Sequence, residues 1–151
     1  MSNIKIAIAS DHAGFSLKEE LVLFLTGKGL TPGNFGAFSA ESADYPIYAK
    51  KLCINIQNCE FDCGILVCGT GLGMSIAANK FKGIRCALCS EPVSAVLAKQ
   101  HNNANVLALG ARIIGADMAK AIVGAWLGAE FSGARHEIRL RMISGFEGGG
   151  E

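Results

Sequence analysis

The stretch Val67-Cys68-Gly69-Thr70-Gly71-Leu72-Gly73-Met74-Ser75 carries the clearest chemistry in this chain. An apolar run, Gly64-Ile65-Leu66-Val67, delivers a thiol to its end, and three glycines alternating with Thr70 and Leu72 follow. A helical pattern then continues through Ile76-Ala77-Ala78. The order reads as strand, tight turn and helix start, where backbone N–H groups and the positive end of the helix attract negative charge. A cysteine at the lip of such a pocket favours the thiolate, which acts as nucleophile or as base. Without that context Cys68 is one more core thiol among six cysteines.

Two other motif readings compete. The glycine turn has the spacing GxGxG, with Met74 where the last glycine of a dinucleotide fingerprint belongs, and it follows the third predicted strand instead of the first. Cys86-Ala87-Leu88-Cys89 is formally C-x-x-C, but residues three apart in a strand point to opposite faces, which suits neither a shared metal nor a disulfide. Cys53, Cys59 and Cys63 read as packing or surface thiols.

Further polar groups stand where elements end. Asp11-His12 follows the first strand, Arg112 the fifth, and His101-Asn102 closes a helix. His12 and His101 are either local caps or, if both lie at the sheet edge that carries Cys68, acid–base or anion-binding groups. Arg135 and Arg139 are four apart and share a helix face; they form a solvated basic face or grip a phosphate bidentately. His136 beside them is unassigned.

These groups need a scaffold, and the hydrophobic pattern supplies one. Strands are expected at Ile4–Ala9, Cys63–Cys68, Ile84–Cys89 and Val106–Leu109, with a short or irregular one within Leu30–Ser39. Helices are expected over Phe15–Lys28, from Asp44-Tyr45-Pro46 to Asn58, and from Gly73 to Lys80. Three more follow: one after a Ser90 cap, with Val93, Val96 and Leu97 as its apolar face, one over Gly115–Leu127 with Met118, Ile122 and Trp126, and a last arginine-rich one to Phe146. In the first helix Leu17, Leu21, Phe24 and Leu25 form the inner face, with Lys18, Glu19, Glu20 and Lys28 mostly elsewhere. Residues 147–151 should fray. Strands alternating with helices predict an α/β, doubly wound three-layer sandwich around a five-stranded parallel sheet, with ligands beyond the carboxyl ends of the strands.

At 151 residues and a net charge of +1, the chain reads as one domain with no bulk electrostatic pull towards nucleic acid or a membrane surface. Met1-Ser2-Asn3-Ile4-Lys5 lacks the apolar core of a signal peptide, and no run is long enough to cross a bilayer, so a cytoplasmic protein with reduced thiols is expected.

With these residues assembled, the chain closely resembles the B-type ribose-5-phosphate isomerases, relatives of the galactose-6-phosphate isomerase subunits. The matching stretches include Ser10-Asp11-His12-Ala13-Gly14-Phe15, Asp44-Tyr45-Pro46, Gly64 through Lys80, Cys89-Ser90-Glu91-Pro92, Gln100-His101-Asn102, Gly110-Ala111-Arg112 and Gly133-Ala134-Arg135-His136. The resemblance implies interconversion of D-ribose 5-phosphate and D-ribulose 5-phosphate in the non-oxidative pentose phosphate pathway, with no metal and no organic cofactor. It implies a homodimer or dimer of dimers with active sites shared between subunits, the C-terminal helix reaching a partner. Cys68 would move a proton between carbons 1 and 2, Thr70 would assist among the sugar oxygens, and His101 would help open the furanose ring. The amides of Gly69, Gly71, Leu72 and Gly73 would stabilise the enediolate; Asp11, Asn102 and Tyr45 would bind substrate; His12, Arg112, Arg135 and Arg139 would contact the phosphate. Some relatives use a glutamate where Met74 stands, which makes this the cysteine type. Asn34-Phe35-Gly36 departs from an expected Asp-x-Gly. A six-carbon sugar phosphate, or a non-catalytic nucleotide- or phosphate-binding module, is the competing reading.

Overall fold

Alternation within each strand decides the layers. In the computed structural model, which describes residues 4–148, Ile6 and Ile8 of β1 (Ile6–Ser10) point into one core while Ala7 and Ala9 point into another. β3 (Cys63–Cys68) and β5 (Val106–Gly110) follow the same period of two. On the first face lie α1 (Phe15–Gly27), α4 (Pro92–Asn102) and α5 (Ala116–Gly128). The second face carries α2 (Tyr45–Gln57) and α3 (Leu72–Ala78). A last helix, α6 (Arg135–Phe146), has no buried residue.

With β2 (Gly33–Asn34) and β4 (Cys86–Leu88), the strands form one parallel sheet in the order β2-β1-β3-β5-β4. This is the expected three-layer α/β sandwich, flanked by helices on both faces. β1, β3 and β5 are wholly buried, as a doubly covered sheet requires. Gly64 lets α2 close in: a Cβ there would fall 2.6 Å from Leu52.

Several expectations are corrected. β4 is three residues long, not six, because it is an edge strand paired only with β5. β2 is as short as its turn chemistry predicted. The α4 cap is Glu91, not Ser90: its carboxylate accepts from the amides of Val93 (2.6 Å) and Ser94 (2.7 Å). The inner face of α4 is the small Ala95, while Val93 and Leu97 are exposed. Met118 is exposed as well, and Lys18, expected outside, is fully buried. Of the tail expected to fray, Glu147 accepts a hydrogen bond from the Gly83 amide (2.9 Å); residues 149–151 lie outside the described residues.

Hydrogen bonds from Ser94, side chain and amide, and from the Val93 amide hold the Glu91 carboxyl below its ordinary range. A depressed folded value stabilises the protein above the ordinary glutamate value, and that contribution is lost as pH falls through the folded one. Glu91→Gln should therefore lower the thermal midpoint by a few degrees at neutral pH, with the gap narrowing in acid. A gap independent of pH in thermal melts from pH 7 down to pH 3 would contradict this.

Candidate active site

The order of the sheet makes β1 and β3 neighbours at the point where successive crossovers leave in opposite directions. Three chain segments emerge there side by side and are stitched together by backbone. Asp11 N donates to Val67 O (3.2 Å), Ala111 N to Cys68 O (2.9 Å) and Arg112 N to Gly69 O (2.8 Å). Asp11, Cys68 and Arg112 are thus fixed at one carboxyl edge, where open α/β sheets bind ligands.

The glycine turn folds back on its own thiol. Gly71 adopts φ of 77°, a left-handed conformation that suits glycine, and its amide donates to Cys68 Sγ (3.2 Å). Leu72 N donates to Thr70 Oγ1 (3.3 Å). Cys68 is 5% exposed, whereas Thr70 is exposed beside it. The turn is packed from below and from both sides. A Cβ on Gly110 would sit 2.6 Å from the Thr70 carbonyl, so only glycine lets β5 support the turn so closely. The Arg112 guanidinium lies over Gly69 and the Tyr45 ring against Gly73, at 2.9 and 2.7 Å from where a Cβ would stand. Met74 faces the core, fully buried.

Asp11 and His12 are braced before any ligand arrives. Asp11 Oδ1 accepts the Gly14 amide (3.0 Å), leaving its other oxygen uncommitted. His12 Nδ1 lies against the Ala43 backbone, 3.2 Å from its nitrogen and 3.1 Å from its oxygen. Three other buried cysteines, Cys53, Cys63 and Cys89, and the half-buried Cys86 are held as thiols. Burial pushes Cys53 and Cys63 up to about 12 and Cys89 up to about 11, and Cys86 upward too. Cys86 and Cys89 pack into opposite cores, as their spacing required.

The other expected site residues lie elsewhere. α4 runs back from the carboxyl edge, so His101 and Asn102 arrive at the amino edge, just ahead of β5. Arg85 Nε donates to the carbonyls of Asn102 and Asn103 there, both at 3.0 Å. Since β5 alone spans roughly 16 Å, His101 does not meet Cys68 within one chain, contrary to a common edge for both histidines. α6 starts in the same place. Ser132 N donates to Gln100 O (2.9 Å), and the His136 ring stacks on His101 with centroids 4.3 Å apart and planes 8° from parallel. Desolvation, with the Arg135 and Arg139 guanidinium groups nearby, shifts His136 downward. Arg135 and Arg139 are exposed on this helix. A cavity of about 720 Å³ opens on the same edge, lined by Phe81, Ile84, Arg85, Leu140, Ile143 and Phe146. The thiol and the glycine turn stand outside it.

The site residues thus fall into two groups. Asp11, His12, Tyr45, Cys68, Thr70, the glycine turn and Arg112 gather at the carboxyl edge; His101, Asn102, Arg135 and Arg139 gather at the amino edge. The stack on His136 had no signal in the sequence beyond its arginine neighbours. Helix direction alone could have separated His101 from Cys68.

Comparison with known proteins identifies the family and matches the fold. A family model described as Ribose/Galactose Isomerase matches residues 6–143. "Ribose-5-phosphate isomerase B" of Escherichia coli is 51% identical over 143 residues, 95% of this chain and 96% of that protein. "D-erythrulose-4-phosphate isomerase" of Pectobacterium atrosepticum is 43% identical over 145 residues, 95% of each. The solved ribose-5-phosphate isomerase B of Clostridium thermocellum superposes with a TM-score of 0.96 at 46% identity, covering 97% of this chain and 99% of that one. The chain therefore belongs to the ribose/galactose isomerase family and is an isomerase.

Proposed function

We propose that this isomerase interconverts D-ribose 5-phosphate and D-ribulose 5-phosphate, the aldose–ketose step of the non-oxidative pentose phosphate pathway, with Cys68 as the proton-transfer base. The observation that carries the reading is the Gly71 N–H donated to Cys68 Sγ, in the glycine turn that opens α3. In the open-chain sugar Cys68 removes the proton from carbon 2, and the electron pair moves onto the carbonyl to give an enediolate. The same proton returns to carbon 1, while a proton passes from the carbon-2 oxygen to the carbon-1 oxygen with Thr70 at hand. Such a step needs a positioned base and preorganised N–H donors where the oxyanion develops; the amides of Gly69 to Gly73 are suited to that task. It calls for no metal and no organic cofactor. Asp11 and Tyr45 bind the sugar, and His12 and Arg112 the phosphate.

His101, Asn102, Arg135 and Arg139 complete the site from a second copy. Their position at the opposite edge supports this, and so do the exposed apolar residues Leu72 and Ile76 on α3 and Val93 and Leu97 on α4. A homodimer, alone or paired into a dimer of dimers, would set the carboxyl edge of one copy against the amino edge of the other. His101 then opens the furanose ring, and Arg135 and Arg139 close on the phosphate. Neither a nucleic acid nor a membrane enters this reading.

Cys68→Ala should fold as the wild type does and lose roughly 10²- to 10⁴-fold in turnover of ribose 5-phosphate; an active variant removes Cys68 from its role. Assays on four- and six-carbon sugar phosphates beside it test the substrate, and turnover of neither these nor ribose 5-phosphate would leave a binding module. Gly110→Ala, which drives a methyl group into the Thr70 carbonyl, should cost on the order of 10²-fold in kcat with the sheet intact by circular dichroism. Sharing of the site is checked by co-expressing Cys68→Ala with His101→Ala. Each alone is inactive, but half of randomly formed dimers are hybrids with one intact site, so about a quarter of wild-type activity should return. No recovery despite isolated hybrids would overturn the shared site.

A further inference from the structure

Among the described residues, the buried polar and charged side chains are Ser10, Asp11 and Lys18. All three meet at the exit from β1. The Lys18 ammonium is sealed from solvent, a costly place for a charge unless each of its donors is used. Two of its three are hydrogen-bonded, one to Glu19 Oε1 (2.6 Å) and one to Asn34 Oδ1 (3.1 Å), and the Phe15 and Phe38 rings lie 5.3 and 5.4 Å from the nitrogen.

Asn34 passes this grip onward. Its Oδ1 also accepts the Gly36 amide (3.1 Å), so both lone pairs are occupied. Gly36 O accepts from Ser10 N (2.5 Å), and Ala37 N donates to Ser10 O (2.7 Å), which extends the pairing with β1 past the two residues of β2. The backbone of Lys18 works on the other side of the same junction. Its amide donates to Gly14 O (2.8 Å), closing the turn whose Gly14 amide is held by Asp11 Oδ1. Lys18 therefore joins the two segments that converge on His12: the Asp11–Gly14 turn, which carries it, and residues 35–44, whose Ala43 backbone abuts its ring.

We propose that Lys18 is a positioning residue for the phosphate-binding side of the pocket, its buried ammonium clamping residues 34–37 to β1 and so fixing the His12 ring against Ala43. The inference rests on the proposed sugar-phosphate isomerase reading. A charge in this place fixes a geometry that a packed methionine would leave loose, because an ammonium demands its acceptors at set distances.

The test compares Lys18→Met, Asn34→Ala and Asn34→Asp with the wild type. Asn34→Ala breaks the same link without touching α1, and serves if Lys18→Met fails to fold. Both broken variants should exchange the Gly36 and Ala37 amides faster than wild type, while Ile65 and Val67 in β3 stay protected. They should raise KM for ribose 5-phosphate roughly tenfold with kcat within about threefold, the pattern of lost binding remote from the reacting carbons. Asn34→Asp keeps an acceptor for both partners and should retain the wild-type KM. Faster exchange with an unchanged KM, a loss confined to kcat, or unaltered exchange at Gly36 and Ala37 would each overturn the proposal. If the wild type itself turns over no sugar phosphate, the isomerase reading has failed instead. The clamp is then judged by amide exchange and by the His12 ring ¹⁵N shift, which should move in Lys18→Met and Asn34→Ala but not in Asn34→Asp.

Discussion

Close backbone approach at the carboxyl edge is the constraint on which the rest of the molecule depends. A Cβ on Gly14 would collide with the Val67 carbonyl, and one on Gly110 with the Thr70 carbonyl. Three segments can therefore leave the sheet in contact, with no side chain between them. This contact lets Gly71 turn its amide onto Cys68 while Arg112 and Tyr45 settle over the glycines on either side. This edge is built of backbone brought close by the absence of side chains, with one thiol set into it.

Much of this was legible before any coordinates. The continuous apolar run of β3 announced a strand covered on both faces, and the alternating glycines announced a turn that needs close approach. What escaped were features whose meaning depends on a neighbour far along the chain. Lys18 reads as solvent-facing by charge, yet Asn34 and two phenylalanine rings enclose it. Val93 and Leu97 read as an inner face by hydropathy, yet α4 packs through the smaller Ala95. Glu91 outcompetes Ser90 as the cap because its longer side chain reaches both amides of the first turn.

The division of the site residues between two edges was the largest departure. Sequence proximity to an element's end says nothing about which end of the sheet that element reaches; direction does. Strands end at the carboxyl edge and helices at the amino edge, so Cys68 and His101 are separated by the full height of the sheet. One group holds the thiol and the turn amides with one imidazole and one guanidinium group, the other a pair of stacked imidazoles and two more guanidinium groups.

The place of β5 bears on how the chain comes together in time. β5 lies between β3 and β4, so β4 is made first yet has no neighbour until β5 arrives. Without residues 106–110 one flank of β3 has no partner and β4 has none at all. The docking of residues 106–110 then seals both flanks at once and sets Gly110 beneath the glycine turn. The same five residues thus complete the sheet and form the floor of the pocket.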